Sequence, residues 1–279
     1  MPRLISVRLW RVGKQHRNGA TLRQALDHVW AQGQPDQRER QLAPGVRCRL
    51  ERYAPERGLL AGEMTRVRHE DYPAELHPDG ARQLNVDVPI GDGVAFRFRE
   101  RDHTLAFQYD DRILSAGRFL DYLESFHRKA LYHYSPIADE EELARFRDEP
   151  LKKISIKLAR PADVVAEEDS MQAAATSFRR LGEAYSAPTV TLQMSVGTGG
   201  GFLNAAAKRM IEGFVRSVGE NDLRAAKAVP ANRGGGRAKE VNLLDTLFSH
   251  KEEIDNPRDL IENYESRQRL LARVLDANR

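Results

Sequence analysis

The chain has 279 residues, of which 41% are hydrophobic and 30% are charged, a composition typical of a globular protein with one large or two ordinary domains. Its single cysteine, Cys48, excludes an intrachain disulfide and any zinc site built from several cysteines. No apolar run approaches the ~20 residues that a membrane-spanning helix needs. Arginines also interrupt the opening segment, where a signal peptide would have an apolar core. The sequence therefore predicts a cytoplasmic protein without direct membrane insertion.

The formal net charge of +3 conceals an uneven distribution of charge along the chain. Residues 1–70 contain 14 lysines and arginines against 7 acids, whereas residues 71–150 contain 10 against 17. Segregation of this kind is typical of a protein with a cationic working face, which favours an anionic partner.

Alternating and helical patterns of apolar residues predict an α+β module over residues 1–137. Thr21 and Gln24 have the spacing of a helix-capping box, and Ser115 can cap a second helix. In chain order, the predicted elements are a strand at 4–12, a helix from Thr21 to Trp30, a polar loop at 31–44, strands near 45–53 and 60–68, a polar excursion at 69–92, a hairpin at 94–109 and a helix after Ser115.

A second α+β module is predicted over residues 151–279, after an acidic connector at 138–150 that contains a short helix. Asn256 and Pro257 have the cap-plus-proline arrangement that opens a final amphipathic helix, which is expected to pack on its own module. The other predicted elements are a strand at 154–158, a helix near 168–182, a strand at 189–196, a helix near 202–217, and strands near 221–229 and 237–246. Each module is expected to contain a small mixed or antiparallel sheet with packed helices.

Pairs of arginines occur on three of the predicted strands of the first module. Because side chains alternate along a strand, the two arginines of each pair share a face, and that face points outward if the intervening apolar residues point inward. Guanidinium groups bind phosphates without reading sequence. The alternative is a solvated sheet face neutralised by the acidic residues at 71–150. The predicted phosphate-contacting residues are Arg47, Arg49, Arg66, Arg68, Arg97 and Arg99.

A basic arm is predicted at 224–239, where three glycines (234–236) form the tip of a turn between two strands. Glycine tolerates positive φ and leaves room for a close polymer, so a cationic arm of this kind suits a phosphate backbone. The alternative is a solvated hairpin whose glycines only turn the chain. The predicted contacts in the arm are Arg224, Lys227, Arg233, Arg237 and Lys239.

A glycine-rich segment, Gly197–Gly201, lies between a predicted strand and a predicted helix. Backbone N–H groups at such a position can hold a phosphate, with Lys208 and Arg209 one or two turns further on. Phe202 occupies the position of the third glycine of a dinucleotide fingerprint, and no Gly-Lys-Ser/Thr follows, so neither standard nucleotide motif is present. The alternative is a turn that only leads into the helix.

The sequence does not predict a catalytic constellation, a metal site or a cofactor. The eight histidines are scattered, and His127 and His133 are six residues apart across a predicted helix end. Asp110 and Asp111 lack the partner carboxylate and lysine that a nuclease site would show. Cys48 alternates with arginines along a strand, which favours a buried structural thiol over a nucleophile.

The order of elements resembles the RexA-like phage-exclusion proteins and the related KwaB-type proteins. The likeness lies in the first-module segment Thr104–Asp111, the opening of the second module at Lys152–Leu158, and the late hairpin that runs into Val241–Asp245. It spans nearly the whole chain and rests on layout and short apolar patterns. The resemblance implies a two-domain α+β protein, a homodimer that binds DNA with little sequence preference, and a role in phage defence alongside a separate membrane-protein partner.

The function predicted from the sequence is therefore non-sequence-specific DNA binding through the phosphate backbone. Few aromatic residues accompany the basic segments, which favours duplex over single-stranded DNA. An alternative is a nucleotide- or nucleic-acid-processing enzyme that uses Gly197–Gly201 to hold a phosphate. A third is a protein-binding module whose acidic segment 138–150 docks a basic partner.

Overall fold

The structure is a computed structural model that describes residues 2–278 apart from 70–71, 73, 83, 85, 87, 111, 165, 167–168, 198–200, 218–222, 232–239 and 245–248. The chain forms two compact units. Unit 1 comprises residues 1–134 together with 250–279, and unit 2 comprises residues 135–249. Each unit combines a sheet with packed helices, which confirms the predicted α+β class.

The strands are β1 (Pro2–Lys14), β2 (Glu39–Ala43), β3 (Val46–Glu56), β4 (Leu59–Arg68), β5 (Glu75–His77), β6 (Gly80–Arg82), β7 (Ile90–Arg99), β8 (Thr104–Gln108), β9 (Tyr132–Ile137), β10 (Leu151–Ala159), β11 (Thr189–Ser195), β12 (Leu223–Pro230), β13 (Val241–Asn242) and β14 (Ser249–Asp255). The α-helices are α1 (Leu22–Trp30), α2 (Ala116–Phe126), α3 (Glu140–Asp148), α4 (Gln172–Tyr185), α5 (Ala205–Ser217) and α6 (Leu260–Ala277).

The large sheet of unit 1 has the strand order β14-β1-β8-β7-β4-β3-β2, and β9 also pairs with β1. Pairing is antiparallel from β1 through β8, β7, β4 and β3 to β2. Helices α1 and α2 cover one face, where Leu26, Phe96 and Phe119 belong to a single apolar core. The predicted capping box at Thr21 is present, and the side chain of Ser115 caps α2 as expected.

Helix α6 packs on the opposite face of this sheet, chiefly against β7 and β8. Small side chains on that face, among them Ala61, Ala95 and Ala106, are buried and leave room for the helix. The final helix therefore belongs to unit 1 and not to the predicted second module at 151–279. The reason is that its buried apolar residues pack against this face of the unit 1 sheet. It also begins later than expected, and Asp259 rather than Asn256 accepts the first backbone N–H groups.

The sheet of unit 2 has the order β11-β10-β12-β13, with antiparallel pairing throughout. Its apolar face carries Ile154 and Ile156, which share a core with Phe178 of α4 and Phe214 of α5. Helix α3 lies within the stretch 138–150 that the charge pattern predicted as a connector. Its Leu143 and Phe146 are buried in the same core, so this segment is part of unit 2.

Several strands lie where the sequence predicted only polar loops. Strand β2 falls within the predicted loop 31–44, and the β5–β6 hairpin falls within the excursion 69–92. Strand β2 is at the edge of the large sheet, beside β3, and four of its residues are partly buried whereas Gln41 is exposed. Polar residues occupy three of its five positions, so this edge strand does not give an alternating apolar pattern.

Candidate nucleic-acid interface

The six strand arginines of unit 1 do not form one cationic field. Strand pairing places Arg66 opposite Cys48, whereas Arg49 lies opposite Thr65. Because side chains that face each other across a pair point to the same side of a sheet, Arg66 and Arg68 lie on the opposite face from Arg47 and Arg49. The arginine pairs of β3 and β4 therefore do not combine on one face, because the register between strands, which alternation within one strand does not define, sets their sides.

Helix α6 covers the face that carries Arg97 and Arg99. Arg99 is only 6% exposed; its guanidinium pairs with Asp102 and donates to the backbone carbonyls of Leu275 and Asn278 at the end of the helix. Arg97 lies within 3.5 Å of the side-chain oxygen of Gln268 on the same helix. Arg99 therefore holds the helix C-terminus, where backbone carbonyls favour a cation, and Arg97 contacts the middle of the same helix. Both arginines face α6 and not solvent, contrary to expectation.

The remaining four arginines of the predicted set also have partners within unit 1. Arg47 pairs with Glu39 at 3.2 Å and Arg49 pairs with Glu51 at 2.6 Å. Arg66 donates to the carbonyl of Arg112. Arg68 pairs with Asp92 at 2.8 Å, so acids of this unit neutralise three of these four arginines locally, and a backbone carbonyl holds the fourth, Arg66.

Unit 2 presents a different surface, the outer face of its four-stranded sheet. Lys153 and Lys157 lie on this face of β10, on either side of Ser155. Ser155 is opposite Lys227 on β12, so all three ammonium groups emerge on one side of the sheet. We call these three lysines the lysine platform. Its residues alternate with the buried Ile154 and Ile156, which fix the direction of the lysines by filling the core beneath.

The edge strand β11 extends the lysine platform with short polar side chains. Gln193 lies opposite Ser155, and Thr191 lies opposite Lys157. Thr189, Thr191, Gln193 and Ser195 are all exposed. Hydroxyl and amide groups donate hydrogen bonds to phosphate oxygens. None of the side chains that the structure describes on this face is aromatic, so it offers no surface for stacking unpaired bases.

An acidic residue, Glu240, lies beside the lysine platform. Its carboxylate pairs with Lys227 at 2.7 Å and with Lys153 at 3.8 Å. The hydrogen bond from the Lys227 ammonium holds the pKa of Glu240 below its ordinary value. Glu240 therefore stays ionised at neutral pH and competes with any external anion for two of the three lysines.

Part of the predicted basic arm lies outside the described residues. This applies to Arg233, Arg237, Lys239 and the side chain of Arg224, and also to the central glycines 198–200 of the predicted phosphate loop. Lys227 is described, and it belongs to the lysine platform. The flanking glycines Gly197 and Gly201 adopt φ values of 68° and 142°, which glycine tolerates far better than other residues.

Lys208 and Arg209 lie on α5, on the helical side of unit 2. They line a cleft of about 510 Å³ together with Arg147 of α3 and Arg216 of α5. The core side chains of unit 2 separate this cleft from the lysine platform, because α5 packs on the apolar face of the sheet. The sequence predicted nucleic-acid contacts for Lys208 and Arg209, beside the Gly197–Gly201 loop, and for Lys227, in the basic arm. The fold places Lys208 and Arg209 on one surface of unit 2 and Lys227 on another.

The lysine platform includes two residues, Lys153 and Lys157, that sequence reasoning did not select. Their signal is visible in the sequence as lysines that alternate with isoleucine and leucine in 153–158. The sequence does not show the register between β10 and β12. That register places Lys227 opposite Ser155, which lies between the two lysines.

Other classes of site find little support in the part of the chain that the structure describes. No cluster of three histidine, cysteine or acidic side chains there could hold a metal ion. Cys48 is buried, as predicted, and burial raises the pKa of its thiol to about 11. Among the described helices, none combines the length and the apolar character required to cross a bilayer.

The chain matches no protein-family model and none of the curated proteins with which it was compared.

Proposed function

We propose that this protein binds the phosphate backbone of duplex DNA through the lysine platform of unit 2, without reading base sequence. The observation that carries the proposal is the convergence of Lys153, Lys157 and Lys227 on one exposed sheet face. Ammonium groups act as mobile point charges that neutralise phosphates, and they do not present the flat, paired donors that read guanine. Contacts of this kind supply affinity without specificity.

The geometry of the face supports a duplex rather than a small ligand. Lys153 and Lys157 are four residues apart on one strand, which corresponds to about 13 Å at the rise of a β-strand. The face is an exposed sheet surface whose polar side chains continue onto β11. An extended polyanion can contact such a surface at several points at once. The role in phage defence, the homodimer and the membrane-protein partner rest on the resemblance described above, and they stay predictions.

Replacing Lys153, Lys157 and Lys227 together with glutamine should weaken binding to a random-sequence duplex roughly tenfold to a hundredfold. The slope of log affinity against log salt should become shallower by up to about 2.7, since each lost phosphate contact removes about 0.9 ions. Fluorescence anisotropy across a salt series measures both quantities. A second duplex of unrelated sequence should give the same loss.

A matched control removes three positive charges elsewhere, from Arg145, Arg180 and Lys251, each of which is exposed. This variant has the same net charge as the platform variant and should keep most of the wild-type slope. Equal losses in the two variants would mean that net charge, and not the platform, drives binding. Charge reversal at Arg233, Arg237 and Lys239 in the same assay measures the separate contribution of the basic arm.

Replacing Glu240 with glutamine should strengthen DNA binding by about twofold to fivefold, the size expected for releasing an exposed ion pair. The amide removes the negative charge beside Lys227 and Lys153 and leaves both ammonium groups for phosphate. The same anisotropy titration detects the change. Glu183 of α4, an exposed acid away from the sheet face, provides the control Glu183→Gln. Weaker binding by Glu240→Gln would contradict a phosphate site at this position.

A further inference from the structure

We propose a second anion site in unit 2, the cleft between α3 and α5, which takes the diphosphate group of a small phosphorylated ligand. The cleft has a volume of about 510 Å³ and is lined by Arg147, Ala205, Lys208, Arg209, Glu212 and Arg216. This volume lies within the range of small-molecule sites. The proposal is independent of DNA binding, because the lysine platform is on the other side of the unit 2 sheet.

Glu212 fixes the position of two guanidinium groups in the cleft. Its side chain is only 11% exposed, and it accepts a two-point ion pair from Arg147, with one N–O distance of 3.0 Å. Arg216 approaches the same carboxylate at 3.2 Å from one helical turn away. The carboxylate of Glu212 thus binds one guanidinium edge of Arg147 and forms an ion pair with Arg216. Both arginines are held in place before a ligand arrives, which lowers the entropic cost of binding.

Each guanidinium keeps part of its surface in the cleft. The side chains of Arg147 and Arg216 are 51% and 39% exposed. A guanidinium has five N–H donors in a planar fork, and Glu212 uses only those along one edge of Arg147. Arg216 also contacts the exposed Glu140 at 3.3 Å. Both arginines can therefore bind a phosphate without releasing Glu212.

Lys208 and Arg209 add positive charge that no acid in the described chain neutralises. The Lys208 ammonium donates to the backbone carbonyl of Arg147, which orients it without cancelling its charge. Arg209 is exposed, and it forms no hydrogen bond or ion pair with the residues that the structure describes. With Glu212 and Glu140 included, the cleft carries four cations against two acids, a net charge of +2.

A diphosphate fits this combination of charge and geometry. Two oriented guanidinium groups can each take phosphate oxygens in a bidentate manner, and the ammonium of Lys208 serves as a third charge. Ala205 is the apolar residue in the lining, so the contacts that the cleft offers are directed at phosphates rather than at a base. Inorganic pyrophosphate and a nucleoside diphosphate share the recognised group, and the experiment below separates them.

The test is isothermal titration calorimetry of the full chain with sodium pyrophosphate, ADP and adenosine at fixed ionic strength. We expect saturable binding of one pyrophosphate per chain, similar binding of ADP, and none of adenosine. Much tighter binding of ADP than of pyrophosphate would show that the natural ligand is a nucleotide. Absence of saturable heat with both phosphorylated probes would overturn the proposal.

The double variant Lys208→Gln/Arg209→Gln should weaken pyrophosphate binding by about tenfold or more, the scale of losing one charge-assisted contact. The single variant Arg209→Gln removes an exposed cation that has no partner among the described residues, so it should weaken pyrophosphate binding without changing the fold. Arg180→Gln/Lys251→Gln, with the same net charge as the double variant, should bind pyrophosphate as the wild type does. An unchanged affinity in both cleft variants would assign the binding elsewhere.

The same two assays separate this proposal from DNA binding. The platform variant should bind pyrophosphate normally, and Lys208→Gln/Arg209→Gln should bind duplex DNA normally. Loss of pyrophosphate binding in the platform variant would place both anions on the sheet face and remove the cleft as a site.

Discussion

Replacing Arg267 with methionine should lower the free energy of unfolding of unit 1 by about 3–5 kcal/mol, the cost of leaving a buried charge without its partner. Arg267 of α6 pairs with Glu63 of β4 at 2.5 Å, and both side chains are 10% exposed. Arg267 also donates to the backbone carbonyl of Gly93 at 3.3 Å. Without this guanidinium, Arg52, at 3.3 Å, is the cation that remains beside Glu63 among the residues that the structure describes.

Both tryptophans, Trp10 and Trp30, lie in unit 1, so tryptophan fluorescence during urea unfolding reports on this unit alone. Arg269→Met on the same helix is the control, because Arg269 is 65% exposed and its ion pair with Glu265 is long, at 3.9 Å. This control should change the stability by less than about 0.5 kcal/mol. A loss below about 1 kcal/mol for Arg267→Met would mean that Glu63 finds water or takes up a proton at little cost.

The double variant Glu63→Met/Arg267→Met shows how much of the loss in Arg267→Met comes from leaving the Glu63 carboxylate without its partner. Removing both charges removes the desolvation penalty as well as the attraction, so the double variant should be more stable than Arg267→Met alone. The single variant Glu63→Met completes the comparison. Destabilisation of the double variant equal to the sum of the losses in Glu63→Met and Arg267→Met would show that the residues act independently.

Replacing Tyr122 with phenylalanine should destabilise unit 1 by about 2–4 kcal/mol, because two buried backbone groups lose their partner. The Tyr122 hydroxyl donates to the carbonyl of Arg38 at 2.6 Å and accepts from the N–H of Leu50 at 3.0 Å. It thereby joins α2 to β3 and to the segment that leads into β2. Burial raises the pKa of this hydroxyl well above its ordinary value, so it stays protonated and able to donate.

Tyr132 provides a matched control within the same unit. Its hydroxyl is buried, and it has no hydrogen-bond partner among the described residues. Tyr132→Phe removes a polar group that is already unsatisfied, so the stability should stay unchanged or rise by up to about 1 kcal/mol. Equal destabilisation by both substitutions would show that shape, rather than hydrogen bonding, determines the effect at Tyr122.

Local structure followed from local sequence wherever the determining contacts lie within a few residues. The capping box at Thr21 and Gln24 forms within one helical turn, and the cap at Ser115 does likewise. The alternation of Ile154 and Ile156 with polar residues identified β10 and its buried face. Helix caps and apolar alternation depend on residues that are close together in the chain, so the sequence alone predicts them.

The location of the candidate site depends on contacts between distant segments, which the pattern within one strand does not contain. Alternation indicates that Arg97 and Arg99 share a face, but it does not indicate that α6, some 170 residues later in the chain, covers that face. The arginines of the first unit were therefore assigned to solvent although the fold uses them for packing and pairing. Conversely, the sequence did not identify Lys153 and Lys157 as part of a binding surface, because the register with β12 is what places Lys227 beside them.

The assignment of α6 to unit 1 determines the order in which the protein can assemble. Residues 135–249 fold around their own apolar core, and they interrupt a unit whose remaining strand and covering helix come from 250–279. All of residues 135–249 are therefore translated between the two parts of unit 1. The sheet face that carries Glu63 and the buried alanines gains its covering helix only when residues 260–277 have followed the inserted unit. Final packing of residues 1–134 thus waits for the translation of a unit to which they do not belong.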